Sequence, residues 1–187
     1  MASIEARVFA SRSGSATIRA IDPSDAEATI ALRLALAKES EFLSEPVDIR
    51  TDLGEQVKFL TSKLSSPVDL YIVAELEGRV VGMASLDGST QSRFAHGATL
   101  GLGVRRDYWR RGLGKALVST LLDWADSRGL VRIALEVVET NIGAIRLYEA
   151  LGFEHEGRLR HRRKHGSTYL DNHAMARIRL PASQGAP

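Results

Sequence analysis

The segment that most constrains the fold of this 187-residue chain is residues 104–115, which read VRRDYWRRGLGK. An apolar run with β character precedes it, and a helical stripe of apolar residues follows it. The first N–H groups of a helix lack partners within the helix, and the macrodipole places partial positive charge there. Two glycines, which allow close approach to the main chain, and three basic residues complete the segment: Gly112, Gly114, Arg110, Arg111 and Lys115. This pattern predicts a strand-to-helix turn that binds phosphate.

Two common phosphate-binding motifs do not match this segment. A Walker loop requires Ser or Thr after its Lys, and Lys115 is followed by Ala116. A dinucleotide-binding fingerprint could begin at Gly101 and Gly103, but its third glycine position is Arg106. That match also lies in a predicted strand instead of opening a helix. We therefore expect binding chiefly through backbone N–H groups.

A second informative segment, residues 141–153, reads NIGAIRLYEALGF. Its apolar residues recur at helical spacing, Asn141 can cap the helix start, and Gly152 suits its end. Asn141 and Tyr148 are seven residues apart, so they share one helix face about 10 Å apart along the axis. The segment predicts a short amphipathic helix that presents a polar cap and a phenol to one groove.

Together the two segments resemble the motifs of the GCN5-related N-acetyltransferase (GNAT) superfamily. The acetyl-CoA motif Gln/Arg-x-x-Gly-x-Gly/Ala is matched at Gly112 and Gly114, and the L-Y-x-x-x-G-F ending at residues 147–153. The resemblance covers about residues 16–178. The first motif position is Trp109 instead of Gln or Arg, so we expect rearranged side-chain contacts with Arg110 or Arg111 compensating. The cofactor-binding residues that it implies are Leu102, Gly103, Val104, Arg110, Arg111, Gly112, Leu113, Gly114, Lys115 and Asn141.

The predicted elements follow the order βααβββαβαββ, which fits an α/β (α+β sandwich) fold with about four helices. Its mixed central sheet has about seven strands, and the fourth and fifth are parallel and splay apart. The resemblance implies a GNAT fold in which pantetheine lies in that splay beside residues 102–104. Gly101 and Gly103 suit a bulge, a close ligand approach or a purely structural role.

The length suits one domain over residues 16–180, with loose tails at 1–15 and 181–187. The chain has no cysteine, which excludes a thiolate nucleophile and a Cys-based zinc site, so transfer must be direct. His161 and His165 are four apart, but their segment is not helix-like, and we expect no metal. No apolar stretch approaches a membrane span or a signal peptide, which favours the cytoplasm.

The net charge of +2 does not imply a nucleic-acid partner. The basic run at residues 158–165 fits a solvated strand end and hairpin loop, or else a patch for the CoA 3′-phosphate or an acidic partner. A homodimer remains possible.

Tyr148 is the candidate catalytic acid, because a phenol near the sulfur can protonate a leaving thiolate. The alternative is a core tyrosine. Some superfamily members carry a glutamate on the fourth strand, but residues 98–100 offer no carboxylate here. His96, Glu136 and Asp171 are substitutes for the general base, as is a water chain to solvent.

The loop over residues 39–48 has an acidic excess that would attract a cationic amine, unless it is only a solvated loop. Its acidic residues, with two that follow, are Glu39, Glu41, Glu45, Asp48, Asp52 and Glu55. The main hypothesis is an acetyl-CoA-dependent N-acetyltransferase that acts on a primary amine, either a small cationic amine or an amino compound. The ending at residues 169–175 resembles the branch with ribosomal-protein and small-amine acetyltransferases, so a protein N-terminal acetyltransferase is an alternative. A non-catalytic acyl-CoA-binding module is the third.

Overall fold

The computed structural model of the protein describes residues 4–11 and 14–180. Eight strands form one sheet in the order β1-β2-β3-β4-β5-β6-β8-β7. In chain order the elements are β1 (Arg7–Ser11), β2 (Gly14–Ala20), α1 (Ala26–Glu39), α2 (Leu53–Ser65), β3 (Leu70–Leu76), β4 (Arg79–Gly88), β5 (Gly97–Val104), α3 (Leu113–Ser127), β6 (Arg132–Val138), α4 (Ile142–Glu149), β7 (Glu154–His165) and β8 (Thr168–Ile178). None of the helices in the described part of the chain is long and apolar enough to cross a membrane.

Local sequence signals explain where several elements begin. A capping box precedes α1: the Asp22 carboxylate accepts from the Ser24 N–H, and the Asp25 carboxylate accepts from the Asp22 N–H. The turn between β3 and β4 falls at Glu77 and Gly78, both with positive φ, as a tight hairpin requires. Short-range hydrogen bonds and glycine geometry therefore set the start of α1 and the β3–β4 hairpin.

The helices cover both faces of the sheet. Ile72 and Val73 are adjacent on β3 and belong to opposite apolar layers, as alternate strand residues do. Ile72 packs in the layer that contains Leu117 and Leu121 of α3, while Val73 packs with Leu60 of α2. The sheet therefore has α3 on one face and α2 on the other.

The edge strand β1 differs from the sequence prediction. Residues 7–11 pair antiparallel with β2, from Arg7 opposite Ile18 to Ser11 opposite Gly14. For residues 7–11 and 14–15 this corrects the loose tail predicted over residues 1–15, and it raises the strand count from about seven to eight. Pairing satisfies the backbone groups of β1, and Phe9 packs against the main core. Residues 1–3, 12–13 and 181–187, which include the predicted C-terminal tail, lie outside the described residues.

The parallel strands β5 and β6 part soon after they meet. They pair only from Gly97 opposite Arg132 to Thr99 opposite Ala134. Beyond that point β5 continues beside β4, and β6 continues beside β8. The predicted splay is therefore confirmed, and residues 100–104 border it. The β4–β5 register runs without a shift, so the bulge considered for Gly101 and Gly103 does not form.

Candidate active site

The loop between β5 and α3 has unusual backbone geometry. Arg110 and Gly112 both lie in the left-handed region, with φ of 57° and 85°. For an arginine this conformation costs about 1–2 kcal/mol. Within the described part of the chain, the backbone N–H groups of residues 112–115 donate to no acceptor. These N–H groups open α3, so the predicted anion site has the required backbone.

Two glycines connect this loop to its surroundings. A Cβ atom on Gly112 would lie 3.1 Å from the ring of Phe9 on β1. A Cβ atom on Gly114 would lie 3.4 Å from Leu147 of α4 and 3.7 Å from Leu102 of β5. The structure thus brings the start of α3, the end of β5 and the helix that carries Tyr148 together at one place.

Trp109 has a structural task that sequence reasoning missed. Its indole N–H donates to the carbonyl of Val104 at 2.6 Å, and the Arg106 guanidinium lies 5.5 Å from its ring centre. This hydrogen bond ties the loop back to the last residue of β5. The motif departure therefore replaces a polar side chain with one that closes the loop on its own backbone.

Tyr148 lies inside the core and not on an open surface. It is only 7% exposed, and its ring lies 5.7 Å from that of Phe153. Burial raises the pKa of Tyr148 to about 12, so its hydroxyl keeps its proton at every physiological pH. The Asn141 side chain accepts from the Ala144 N–H at 3.2 Å and so caps α4. The contact that the structure shows for the Asn141 side chain is therefore structural, since it caps the helix that carries Tyr148.

A cavity of about 320 Å³ lies on the α1 side of β5. Its lining residues are Arg33, Leu36, Leu43, Ser44, Ile49, Met83, Ala84, Ser85, Gly101, Leu102 and Gly103. A Cβ atom on Gly103 would lie 2.6 Å from Leu36, and one on Gly101 would lie 2.9 Å from the Ser85 hydroxyl. A side chain on either glycine would therefore have to displace a neighbouring side chain of the cavity wall. Arg33 and Ser85 line the cavity and were not predicted.

The acidic loop over residues 39–48 is held by basic groups. The Glu39 carboxylate accepts from Arg105 Nε at 2.6 Å and from the Arg106 N–H at 2.9 Å. At the far end Glu45 lies 3.2 Å from His165. Among the described residues, Glu39 is therefore the carboxylate of this loop that pairs with an arginine.

The same loop is fastened from the other side of the site by β7. The Arg163 guanidinium donates to the carbonyls of Phe42 and Leu43. Asp52 is used as the cap of α2, where it accepts from the Glu55 N–H. Among the described residues, no carboxylate lines the cavity. A second cavity, of about 370 Å³, is lined by Glu39, Glu41 and Glu45 together with Arg106 and His165, so the acidic acceptor mouth stays a prediction there.

None of the three candidate general bases lines the cavity. His96 precedes β5, so it lies about 20 Å from Leu102 along the strand. Arg162, 2.8 Å away, holds the pKa of Glu136 below its usual range, with help from Asn172. These two candidates are poorly placed or weakly basic.

The third candidate, Asp171, is occupied by hydrogen bonds. It accepts from Arg158 Nε at 2.8 Å and from the His161 N–H at 2.7 Å. A different carboxylate approaches the cavity: Asp87 lies 3.4 Å from the Ser85 hydroxyl. The sequence could have indicated this carboxylate. Ser85 and Asp87 are two residues apart on β4 and so share a face, and β4 pairs with β5, the strand that lacks a carboxylate.

The basic run at residues 158–165 belongs to β7. Three of its arginines have partners: Arg158 with Glu139 and Asp171, Arg162 with Glu136, and Arg163 with loop carbonyls. The run is an exposed strand that leads into the β7–β8 hairpin, in agreement with the predicted solvated strand end and hairpin loop, and it also forms cross-strand ion pairs. In the ranges that the structure describes, no three His, Cys, Asp or Glu side chains are grouped to hold a metal ion.

Comparison with known proteins agrees with this architecture. The model of the acetyltransferase (GNAT) family matches residues 35–153. Acetyltransferase SG1711 of Sodalis glossinidius (strain morsitans) is 40% identical over 114 residues, 60% of this chain and 76% of that protein. The L-amino acid N-acetyltransferase AaaT of Escherichia coli (strain K12) is 33% identical over 109 residues, 58% of this chain and 67% of that protein.

A solved structure extends the likeness to almost the whole domain. The crystal structure of a GNAT-family acetyltransferase from Streptococcus pneumoniae superposes with a TM-score of 0.84 and 26% identity. The match covers 88% of this chain and 99% of that one. The family match includes β5, the glycine-rich loop and α4, which form the site described above. The chain belongs to the acetyltransferase (GNAT) family.

Proposed function

We propose that the protein transfers the acetyl group of acetyl-CoA directly to a primary amine. One observation carries the proposal: β5 and β6 part after Thr99 and Ala134, beside the free N–H groups that open α3. A cofactor with a pyrophosphate and a long extended arm needs both features at one place. Residues 102–104 border the splay and would lie along the arm.

The pyrophosphate of CoA would be held at the start of α3. The N–H groups of residues 112–115 supply the donors, and Arg110, Arg111 and Lys115 supply positive charge at an exposed surface. Gly114 lies next to Leu102 and Leu147. The proposed pyrophosphate site would therefore be adjacent to the strand along which the pantetheine arm would lie.

The chemistry requires a neutral amine that attacks the thioester carbonyl carbon. The carbonyl oxygen gains negative charge, which backbone N–H groups near Leu102 would stabilise. The C–S bond then breaks, and Tyr148 donates its proton to the thiolate. Burial raises the pKa of the phenol to about 12, so Tyr148 holds its proton until the thiolate forms, and the phenolate then regains a proton from solvent.

The proton lost by the amine would pass to solvent. Among the described residues no carboxylate lines the cavity. Asp87 contacts it only through Ser85, whose hydroxyl lies 3.4 Å from the Asp87 carboxylate. Asp87 also accepts from Lys63 at 2.7 Å and from the Tyr71 hydroxyl at 2.6 Å, so with Ser85 its oxygens already have three donors. Water at the open side of the cavity is therefore the proposed acceptor.

A small amino compound fits the site better than a protein N-terminus. The cavity volume of about 320 Å³ is at the small end of the range of about 300–1,000 Å³ for small-molecule sites. AaaT, named for L-amino acids, is among the relatives of this chain and supports the same acceptor class.

The test begins with binding. CoA should raise the melting temperature, since a ligand that binds only the folded state adds about 2.7 kcal/mol at a hundred times its Kd. Lys115→Ala should weaken the shift, whereas Lys58→Ala, which removes an exposed lysine of α2, should not. No shift with CoA in the unmodified protein would overturn the proposal.

Turnover separates an enzyme from a binding module. Release of free CoA thiol from acetyl-CoA should depend on an added primary amine. A protein that binds CoA but releases no thiol with any amine would instead be a non-catalytic acyl-CoA-binding module.

A further inference from the structure

The acceptor cavity has one charged side chain among the described residues that line it, Arg33 of α1. The residue is half-buried, and the described part of the chain gives it no hydrogen bond or ion pair. The arginines nearby behave differently, because Arg105 is paired with Glu39 and Arg163 is bonded to two loop carbonyls. Arg33 therefore has a guanidinium that is available to a ligand in the cavity.

The cavity wall around Arg33 is largely apolar. Four large aliphatic side chains share the lining with it: Leu36, Leu43, Ile49 and Met83. A charged group next to apolar surface is costly unless an anion and hydrogen bonds compensate. The planar fork of a guanidinium matches both oxygens of a carboxylate. The missing partner is thus best supplied by a carboxylate on the bound molecule.

We propose that Arg33 binds the carboxylate of the acceptor, so that the acceptor is an α-amino acid with an apolar side chain. This inference rests on the proposed acetyl transfer and names its substrate class. The same cavity is bordered by residues 101–103 of β5, the strand beside which the acetyl group would lie. A molecule held by its carboxylate at Arg33 can therefore extend its amino group toward β5, while its side chain contacts the aliphatic wall.

The charge of Arg33 also excludes other amines. A polyamine or an aminoglycoside would bring cations toward the guanidinium and would meet no carboxylate in the described lining. The N-terminus of a protein has a peptide bond where a free amino acid has its carboxylate, so it would leave Arg33 unpaired. Selection between these acceptors would thus depend mainly on one ion pair.

The test compares amino acids with their amides, which have nearly the same shape but no negative charge. Thiol release from acetyl-CoA is measured with L-leucine, L-methionine, L-valine and L-phenylalanine and with the four corresponding amides. At least one amino acid should be acetylated with a kcat/KM above that of its amide. Because an amide's amino group loses its proton more easily, the decisive quantity is how this ratio changes with substitution.

Arg33→Gln should lower kcat/KM for the amino acid by about 10- to 100-fold, the size expected for a lost charge-assisted pair. It should leave the amide nearly unchanged, and Arg33→Lys should retain part of the preference. Arg93→Gln, which removes an exposed arginine of the β4–β5 connection, is the matched control and should keep the ratio. An equal CoA-induced rise in melting temperature shows that each variant is folded.

Three results would overturn the inference. The amides could be preferred in all proteins, the ratio could be insensitive to Arg33→Gln, or other amines could be acetylated while no amino acid is. Each leaves the proposed acetyl transfer standing. Absence of any CoA-induced shift would instead remove the proposed function itself, and the carboxylate site with it.

Discussion

The ring of Phe9 lies 3.1 Å from the place that a Cβ atom would take on Gly112. Through this contact the edge strand β1 touches the loop that opens α3. Two features of the folded protein favour glycine at position 112: its left-handed φ of 85° and the nearby ring of Phe9. Neither feature involves a ligand. A substitution there would therefore disturb the fold before it disturbed any bound phosphate.

Gly112→Ala should destabilise the protein more than Gly152→Ala does. Both glycines have a φ of 85°, but nothing lies within 4 Å of a Cβ atom on Gly152. The backbone penalty of about 1–2 kcal/mol is common to both, and the clash with Phe9 adds to it only at Gly112. Urea unfolding measures the difference, and Phe9→Ala should diminish it. Equal losses would show that the ring simply moves away.

Tyr148→Phe should reduce turnover by about 10²-fold or more with little change in the CoA-induced melting shift. The described residues give the hydroxyl no hydrogen-bond partner, and burial alone raises its pKa, so removing it should cost little stability. Tyr169→Phe, at an exposed tyrosine of β8, is the control. Unchanged turnover would make Tyr148 a packing residue.

The pH profile of turnover should show no loss of the phenol proton below pH 10. The acid form of Tyr148 is the active form in the proposed reaction, and it persists below its pKa of about 12. Turnover should therefore rise as the acceptor amine deprotonates and then stay level to pH 10. A decrease between pH 8 and 10 that disappears in Tyr148→Phe would contradict the buried environment.

Asp126→Asn should flatten the loss of stability in acid. Two hydrogen bonds from Arg177, each 2.9 Å, hold the pKa of Asp126 below its usual range. A lowered folded-state pKa gives stability that is full above the unfolded-state pKa of about 4 and is lost as pH falls through the lower folded value. Melting temperatures from pH 6 to 2 test this, with the exposed Asp107→Asn as control. Parallel curves for all three proteins would refute the linkage.

Glu41→Gln together with Asp48→Asn should leave the acceptor KM unchanged. Both carboxylates are exposed, and neither lines the cavity of about 320 Å³. The measurement is KM for an accepted amine at low and high salt. A rise in KM that salt weakens would support the acidic acceptor mouth that the sequence suggested.

The features that sequence reasoning predicted well depend on neighbours along the chain. The helix that follows Gly112 and the cap at Asn141 are set by the conformations and hydrogen bonds of a few adjacent residues. The order of elements then restricts the sheet, because a parallel pair needs a crossover helix between its strands. The splay of β5 and β6 follows from that arrangement.

The features that were missed depend on pairs distant in sequence. Strand β1 is short and mixed in polarity, and only its partner β2 and the packing of Phe9 reveal it. His96 was a reasonable base by its chemistry, yet the strand direction puts it at the wrong end of β5. Arg33 belongs to no sequence motif. Its candidate role depends on the aliphatic residues and glycines that the fold places beside it in the cavity.

The guanidinium of Arg163 donates to the carbonyl of Leu43, a residue that lines the cavity. The two residues are 120 positions apart in the chain. The shape of the loop between α1 and α2 therefore depends on β7 as well as on the residues of the loop. If that loop were transplanted from a relative with another acceptor, it would arrive without the arginine that shapes it. Engineers who wish to retarget this enzyme should exchange the loop and the β7–β8 hairpin as one unit.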